Sequence, residues 1–193
     1  MSDLIPELEH RKSKRAFSSD PIPTDVIDRL IAAATSSPSC FNNQPWRFVL
    51  VQDEPTLSVV RQTLSGNNYW AEKAPLVVLV VTDLDWDCRV DGDRDYALFD
   101  TGMATGYLIL QAVREGLVAH PIAGFRAPEL KDAMGIPVHH VLVTCVVVGY
   151  PGDPAELTEK HRTAETAPRK RRDPAAVVFN NEWREEDADA PGD

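Results

Sequence analysis

Pro38-Ser39-Cys40-Phe41-Asn42-Asn43-Gln44-Pro45-Trp46 is the stretch on which the interpretation of this chain turns. Prolines flank Asn42 and Gln44, whose carboxamides each offer a C=O acceptor and an NH2 donor. Such groups suit the mixed polar edge of a flat heteroaromatic ring, and Pro38 or Phe41 can give that ring a packing surface. The plain alternative is a helix-to-strand loop in which Asn and Gln satisfy their own backbone. Cys40 has no obviously paired histidine, so a packed thiol is expected before a nucleophile.

On the N-terminal side, Thr24 is a plausible N-cap. Ile27, Leu30, Ile31 and Ala34 follow at i, i+3, i+4, i+7, predicting a helix over 24–35. On the C-terminal side, residues 46–52 predict a strand, and Asp53 with Pro55 opens a helix carrying Leu57, Val60 and Leu64. Residues 76–82 form a short apolar run, as expected of a strand buried on both faces. Residues 83–94 are acidic and aperiodic and predict a surface loop, or a short lid. The longest helix is marked by Tyr96, Phe99, Met103, Tyr107, Leu110 and Val113 and ends near Gly116. Within it, Gly102-x-x-x-Gly106 would admit a second backbone. Pro121 to Phe125 predicts a turn before a helix starting at Pro128. There Gly124 permits an unusual backbone angle, Ala123 is too small to block a ligand, and backbone N–H groups can address a ring nitrogen. Residues 140–148 predict the closing strand. Residues 1–150 then form the compact domain. Residues 151–193 are a polar extension that is partly disordered or wraps another surface, such as a second protomer.

Two basic clusters interrupt an acidic background. In Arg11-Lys12-Ser13-Lys14-Arg15, the alternating Arg11, Ser13 and Arg15 share one side of an extended segment, and paired guanidinium donors with a hydroxyl suit a phosphate monoester. Arg169-Lys170-Arg171-Arg172 can complete the same cage, with Arg169 and Arg171 pointing together. Each cluster alone also fits a solvated basic run.

The 193 residues suit one domain, with 43% hydrophobic and 26% charged residues. A formal net charge of −10 argues against general nucleic-acid binding. No apolar run is long enough to span a bilayer and no secretory signal is visible, so no membrane partner is expected. Three cysteines without C-x-x-C spacing predict neither disulfides nor a zinc site and fit a cytoplasmic setting. His139-His140 precede a strand, where neighbours face opposite sides, so no metal site is expected. No Gly-x-Gly-x-x-Gly follows a strand, and no Gly-x-Ser-x-Gly or His-Glu-x-x-His occurs.

Taken together the motifs resemble the FMN-dependent nitroreductase family. Arg11-Lys12-Ser13-x-Arg15-x-Phe17 looks like its opening phosphate motif, and Pro38-Ser39-x-x-Asn42-x-Gln44-Pro45-Trp46 is similar to its most specific signature. Ala74-Pro75, Asp100-x-Gly102-x-Ala104, Pro121-Ile122-x-Gly124-Phe125, Arg169-x-Arg171 and Val177-Val178 fall where that family places them. The resemblance implies an α+β fold, a three-layer α/β/α arrangement around a mainly antiparallel sheet, assembled as an intertwined homodimer with FMN at the subunit interface. Arg11, Lys12, Ser13, Arg15, Arg169 and Arg171 would hold the phosphate end and pyrimidine edge, with Asn67 contacting the ring. Pro38, Ser39, Cys40, Asn42 and Gln44 would belong to the amide-bearing segment supplied by the other subunit. Pro121, Ile122, Ala123 and Gly124 would lie along the ring, an N–H there addressing flavin N5. No side chain is assigned as an obligatory catalyst, because the flavin carries the chemistry. The implied activity is hydride transfer from NADH or NADPH to a small-molecule acceptor such as a nitroaromatic, quinone or enone. A specialised dehalogenase or dehydrogenase, or a flavin-binding protein without turnover, is the alternative. Two departures stand out: Ala123 replaces an acidic residue of many relatives, and Trp70 stands where some carry Lys.

Overall fold

The computed structural model describes residues 4–88 and 94–183. Its first helices are α1 (Pro6–His10) and α2 (Thr24–Thr35), followed by strand β1 (Trp46–Val51) and α3 (Glu54–Thr63). Then come β2 (Leu76–Thr82), the long α4 (Tyr96–Arg114), β3 (Val118–Ile122), α5 (Ala127–Ala133), β4 (Val141–Gly149) and α6 (Glu159–Thr166). The sheet runs β1-β2-β4-β3, and every pairing is antiparallel. This is an α+β architecture with helices on both faces.

The central strands explain the layering. All seven residues of β2 are buried. Val77, Leu79 and Val81 face one cluster with Leu57 and Val60 of α3 and Leu130 of α5. Leu76, Val78 and Val80 face the other, with Ile27 and Leu30 of α2 and Leu108 and Ala112 of α4. A period-2 strand that is apolar at every position can sit only where both faces are covered. The predicted helix over 24–35 has those bounds, but Pro23 occupies the N-cap position and Thr24 is already helical, with no side-chain cap. Asp53 caps α3 as expected, accepting the Thr56 N–H at 3.0 Å.

Three sequence expectations change. Pro121 and Ile122 are not in a turn: they pair with Val146 and Cys145 as the end of β3, an edge strand where a residue lacking N–H is tolerated. The turn itself is Ala123–Gly124. His139 and His140 do not straddle a strand, because β4 begins at Val141 and the His140 N–H closes a turn onto Pro137 O at 3.1 Å. In the 83–94 loop, residues 84–86 form a 3-10 turn capped by Asp83, while 89–93 lie outside the described residues.

The polar extension folds back on its own chain. Leu157 joins the core, Lys73 and Glu156 pair at 2.5 Å, and Tyr69 Oη accepts the Thr158 N–H at 2.8 Å. α6 then packs along the N-terminal basic segment. These side-chain anchors replace the apolar periodicity that the extension lacks.

Candidate flavin site

The N-terminal cations are held by their backbone, not by strand pairing. Glu165 of α6 accepts the Ala16 N–H at 3.0 Å and also the Arg15 N–H. The Lys14 carbonyl accepts from His120 Nδ1 at 2.8 Å. With the main chain fixed on both sides, Arg11, Ser13 and Arg15 need no strand geometry to present their side chains. Arg11 Nη1 donates to Ser13 Oγ at 3.2 Å. Lys12 points elsewhere, donating from Nζ to Ala167 O at 3.2 Å, where a cation suits the carbonyl end of α6.

Arg169 and Arg171 reach the same place from the other end of the chain. Arg169 Nη1 donates to Leu8 O at 2.6 Å, which carries the segment after α6 onto α1. Burial, then Arg171 and Arg169, pull the Arg11 guanidinium below its ordinary value. Like charges gathered together repel, so the cluster is suited to a multiply charged anion.

A cavity of about 510 Å³ adjoins this cluster, lined by Arg15, Asn67, Tyr69, Thr158, Lys160 and His161 among others. Tyr69 and His161 give it an aromatic wall, and a buried aromatic stack lies behind Arg15. The Trp70 ring stacks on Phe17 at 5.8 Å and on His120 at 4.5 Å, and the Arg15 guanidinium lies 5.9 Å from its centroid. The Tyr69 ring stacks on His161 at 5.5 Å. Burial, with Arg15 and Arg11 nearby, drives His120 down to about 4, so it is neutral and donates from Nδ1. His161 is lowered for the same reasons, burial first and then Arg15 and Lys160.

Asn67 opens into this cavity from the 3-10 segment Gly66–Lys73, and its neighbour Asn68 fixes the Ala123–Gly124 turn. Gly124 O accepts both the Ser65 N–H at 2.8 Å and Asn68 Nδ2 at 2.9 Å. A Cβ at Gly124 would lie 2.6 Å from Ser65 Oγ, so any larger residue displaces the side chains that hold the turn. Arg11, Ser13, Arg15, Asn67, the end of β3, Arg169 and Arg171 are thereby gathered in one region of the protomer.

The segment from Pro38 to Gln44 is elsewhere. It leads into β1, at the opposite edge of the sheet from β3. Among the described residues, no hydrogen bond or ion pair joins it to the cation cluster. Cys40 N–H donates to Asp100 Oδ2 at 3.0 Å, and Ser39 Oγ accepts the Gln44 N–H at 2.9 Å. Phe41, Asn42 and Gln44 all have φ between 49° and 59°, unusual for residues with a Cβ, and Phe41 is 81% exposed. Burial without a charged partner pushes the Cys145 thiol up to about 12, which leaves it inert.

Sequence reasoning did not single out Glu165, His120, Asn68, Tyr69 or His161. Their types carry no motif, and only the packing of α6 and β3 against residues 11–16 reveals them. Trp70, the departure from relatives that carry Lys, is buried in a stack with Phe17 and His120 behind Arg15.

A model described as the nitroreductase family matches residues 8–64 and 53–150. An NADH dehydrogenase of Thermus thermophilus is 27% identical over 173 residues, which cover 74% of this chain and 84% of that one. Iodotyrosine deiodinase 1 of Rattus norvegicus is 27% identical over 184 residues, 80% of this chain and 64% of that protein. A crystal structure of an oxidoreductase containing FMN superposes with a TM-score of 0.82 at 27% identity, covering 95% of this chain and 96% of that chain. With the family model spanning most of the α+β core that carries the cation cluster, the chain belongs to the nitroreductase family.

Proposed function

We propose that the chain is an FMN-dependent oxidoreductase that takes hydride from NADH or NADPH and passes it to a small electron acceptor. The observation that carries this is the convergence of Arg11, Arg15, Arg169 and Arg171 beside a cavity walled by Tyr69 and His161. The residues fit the cofactor. Guanidinium donors and the Ser13 hydroxyl match a phosphate, and the Asn67 carboxamide matches a mixed donor–acceptor ring edge. FMN, when bound, supplies two-electron acceptance and donation. Arg11, Ser13, Arg169 and Arg171 neutralise and orient the phosphate. Arg15 sets positive charge toward the ring's polar edge, where it favours the reduced, anionic form. The Ala123–Gly124 turn, held by Ser65 and Asn68, aligns backbone N–H groups, and Ala123 leaves space for the incoming substrate. No side chain is required as an acid or base.

A homodimer completes this proposal. Along α4, Leu98, Phe99 and Tyr107 are exposed, and among the described residues nothing beyond the backbone of α4 itself lies within 4 Å of a Cβ built at Gly102 or Gly106. Val177, Val178 and Trp183 are also exposed at the end of the described extension. In this proposal a second copy packed on these faces supplies its Pro38, Ser39, Cys40, Asn42 and Gln44 to the first copy's cavity; the separation of the two segments within one protomer supports that arrangement.

Dehalogenation is the second reading, favoured by the similarity to the rat deiodinase. The test is the absorbance of the purified protein loaded with FMN, followed by anaerobic addition of each nicotinamide and then of acceptors. Flavin absorbance that bleaches and recovers with a nitroaromatic or quinone supports the proposal. Recovery only with a halogenated phenol supports dehalogenation, and protein that takes up no FMN refutes both.

A further inference from the structure

Away from the cation cluster, three side chains with metal-ligating atoms converge. His120 pairs with Val147 toward one end of β4, whereas Asp83, His139 and His140 meet at its other end. His140 Nδ1 lies 2.6 Å from Asp83 Oδ2, and His139 Nε2 lies 3.6 Å from the same oxygen. One ligand atom from each residue is within 4.8 Å of the others.

The backbone builds this meeting. Because residues 137–140 form a turn, the two imidazoles stand side by side, their centroids 4.3 Å apart and edge to face. Lys131 Nζ on α5 pins the turn by donating to Val138 O at 2.6 Å and His140 O at 2.8 Å. On the facing wall the Asp83 side chain is nearly buried. Its Oδ1 accepts the Asp85 N–H at 2.8 Å, which leaves Oδ2 directed at both histidines. The Trp86 ring covers His140 at 4.9 Å.

We propose that Asp83, His139 and His140 bind a divalent transition metal of the zinc type. Two imidazoles and one carboxylate suit Zn2+, Ni2+ or Co2+, whereas Mg2+ and Ca2+ select oxygen donors. A tetrahedral centre with bonds of about 2.0 Å holds its ligand atoms about 3.3 Å apart. The observed separations bracket that value: the Asp83–His140 pair has to widen from 2.6 Å and His139, whose side chain is 65% exposed, has to close from 3.6 Å. The carboxylate exchanges its hydrogen bond from His140 for the metal, while the Asp85 N–H keeps it oriented. Three protein ligands leave a fourth position for water. The site also touches the amide-bearing segment, because Asn43 Nδ2 donates to Trp86 O at 3.4 Å, so metal there would stiffen the support of that segment.

The test is calorimetric titration of the chelator-treated full chain with Zn2+, with Co2+ visible absorption reporting the coordination. The expected result is saturable binding of about one Zn2+ per chain, weakened at least about tenfold in His139→Ala and in Asp83→Asn, with FMN uptake unchanged in His139→Ala. His139 is exposed and its removal spares the Asp83–His140 hydrogen bond, so that variant folds. No saturable binding to the parent chain, or binding of undiminished affinity in both variants, overturns the proposal.

Discussion

Glu165 receives the Ala16 N–H at 3.0 Å and, through the same oxygen, the Arg15 N–H, so the penultimate residue of α6 holds the cation-bearing segment in place. Glu165 is buried, and its side chain is the link between a polar C-terminal helix and the N-terminal basic segment 150 residues earlier. Leaving buried N–H donors unsatisfied costs about 1–3 kcal/mol. Glu165→Ala is therefore expected to lower Tm by roughly 3–10 °C and to weaken FMN binding together with it. Glu165→Gln retains an acceptor oxygen and should lose less. Differential scanning fluorimetry with and without FMN checks both.

Arg171 offers a separation of sign. Its charge helps to depress Arg11 in the cofactor-free chain, yet it is assigned to the phosphate. Arg171→Ala should leave the Tm of the FMN-free protein equal or higher while weakening FMN by about tenfold or more, the scale of one charge-assisted contact. Measured by flavin fluorescence quenching, unaltered affinity would remove Arg171 from the site.

At Gly124, the space is already taken. Gly124→Ala brings a Cβ to within 2.6 Å of Ser65 Oγ and 3.0 Å of Asn68 Nδ2. Both are side-chain ends that can shift, so the cost is about 1 kcal/mol, at the low end of overpacking and of the order of the Asn68 hydrogen bond. Ser65→Ala in the same background removes the nearest atom and should restore part of the loss, so denaturant unfolding of the double mutant should show favourable coupling.

His120 makes stability acid-sensitive. Its value falls from 6.5 to about 4 on folding, so the unfolded chain binds the proton more readily. Stability is then complete above about pH 6.5 and is lost as pH falls toward 4, by on the order of 3 kcal/mol. His120→Phe keeps an aromatic ring against Trp70 and removes the proton. Its unfolding free energy, followed by chemical denaturation from pH 7 to 4, should fall less steeply.

Much of this was legible in the sequence because the signals were local. The unbroken apolar run of 76–82 has one structural solution, and α2, α3 and α4 carry helical periodicity with clear ends. Arg11, Ser13, Arg15, Asn67, Arg169 and Arg171 were named from pattern and resemblance, and the fold gathers them. β3 was missed because His120 and Pro121 break its apolar character and only pairing with β4 makes it a strand. α6 was missed because Leu157 is the core anchor nearest to it and Glu165 replaces apolar packing with a buried carboxylate. The meeting of the His139 and His140 rings was not legible because the strand was expected to begin at His140, and that one residue decides whether the rings part or meet.

Subunit mixing tests most directly the proposed flavin pocket assembled from two copies. An Arg15→Ala/Arg169→Ala chain and a Ser39→Ala/Asn42→Ala chain, each folded and each inactive alone, are to be co-expressed and assayed for FMN uptake and nicotinamide oxidation. A mixed dimer contains one intact pocket and one doubly damaged one, so recovery of about a quarter of parental FMN content and activity is predicted. Mixed dimers that form and recover nothing would contradict the shared pocket.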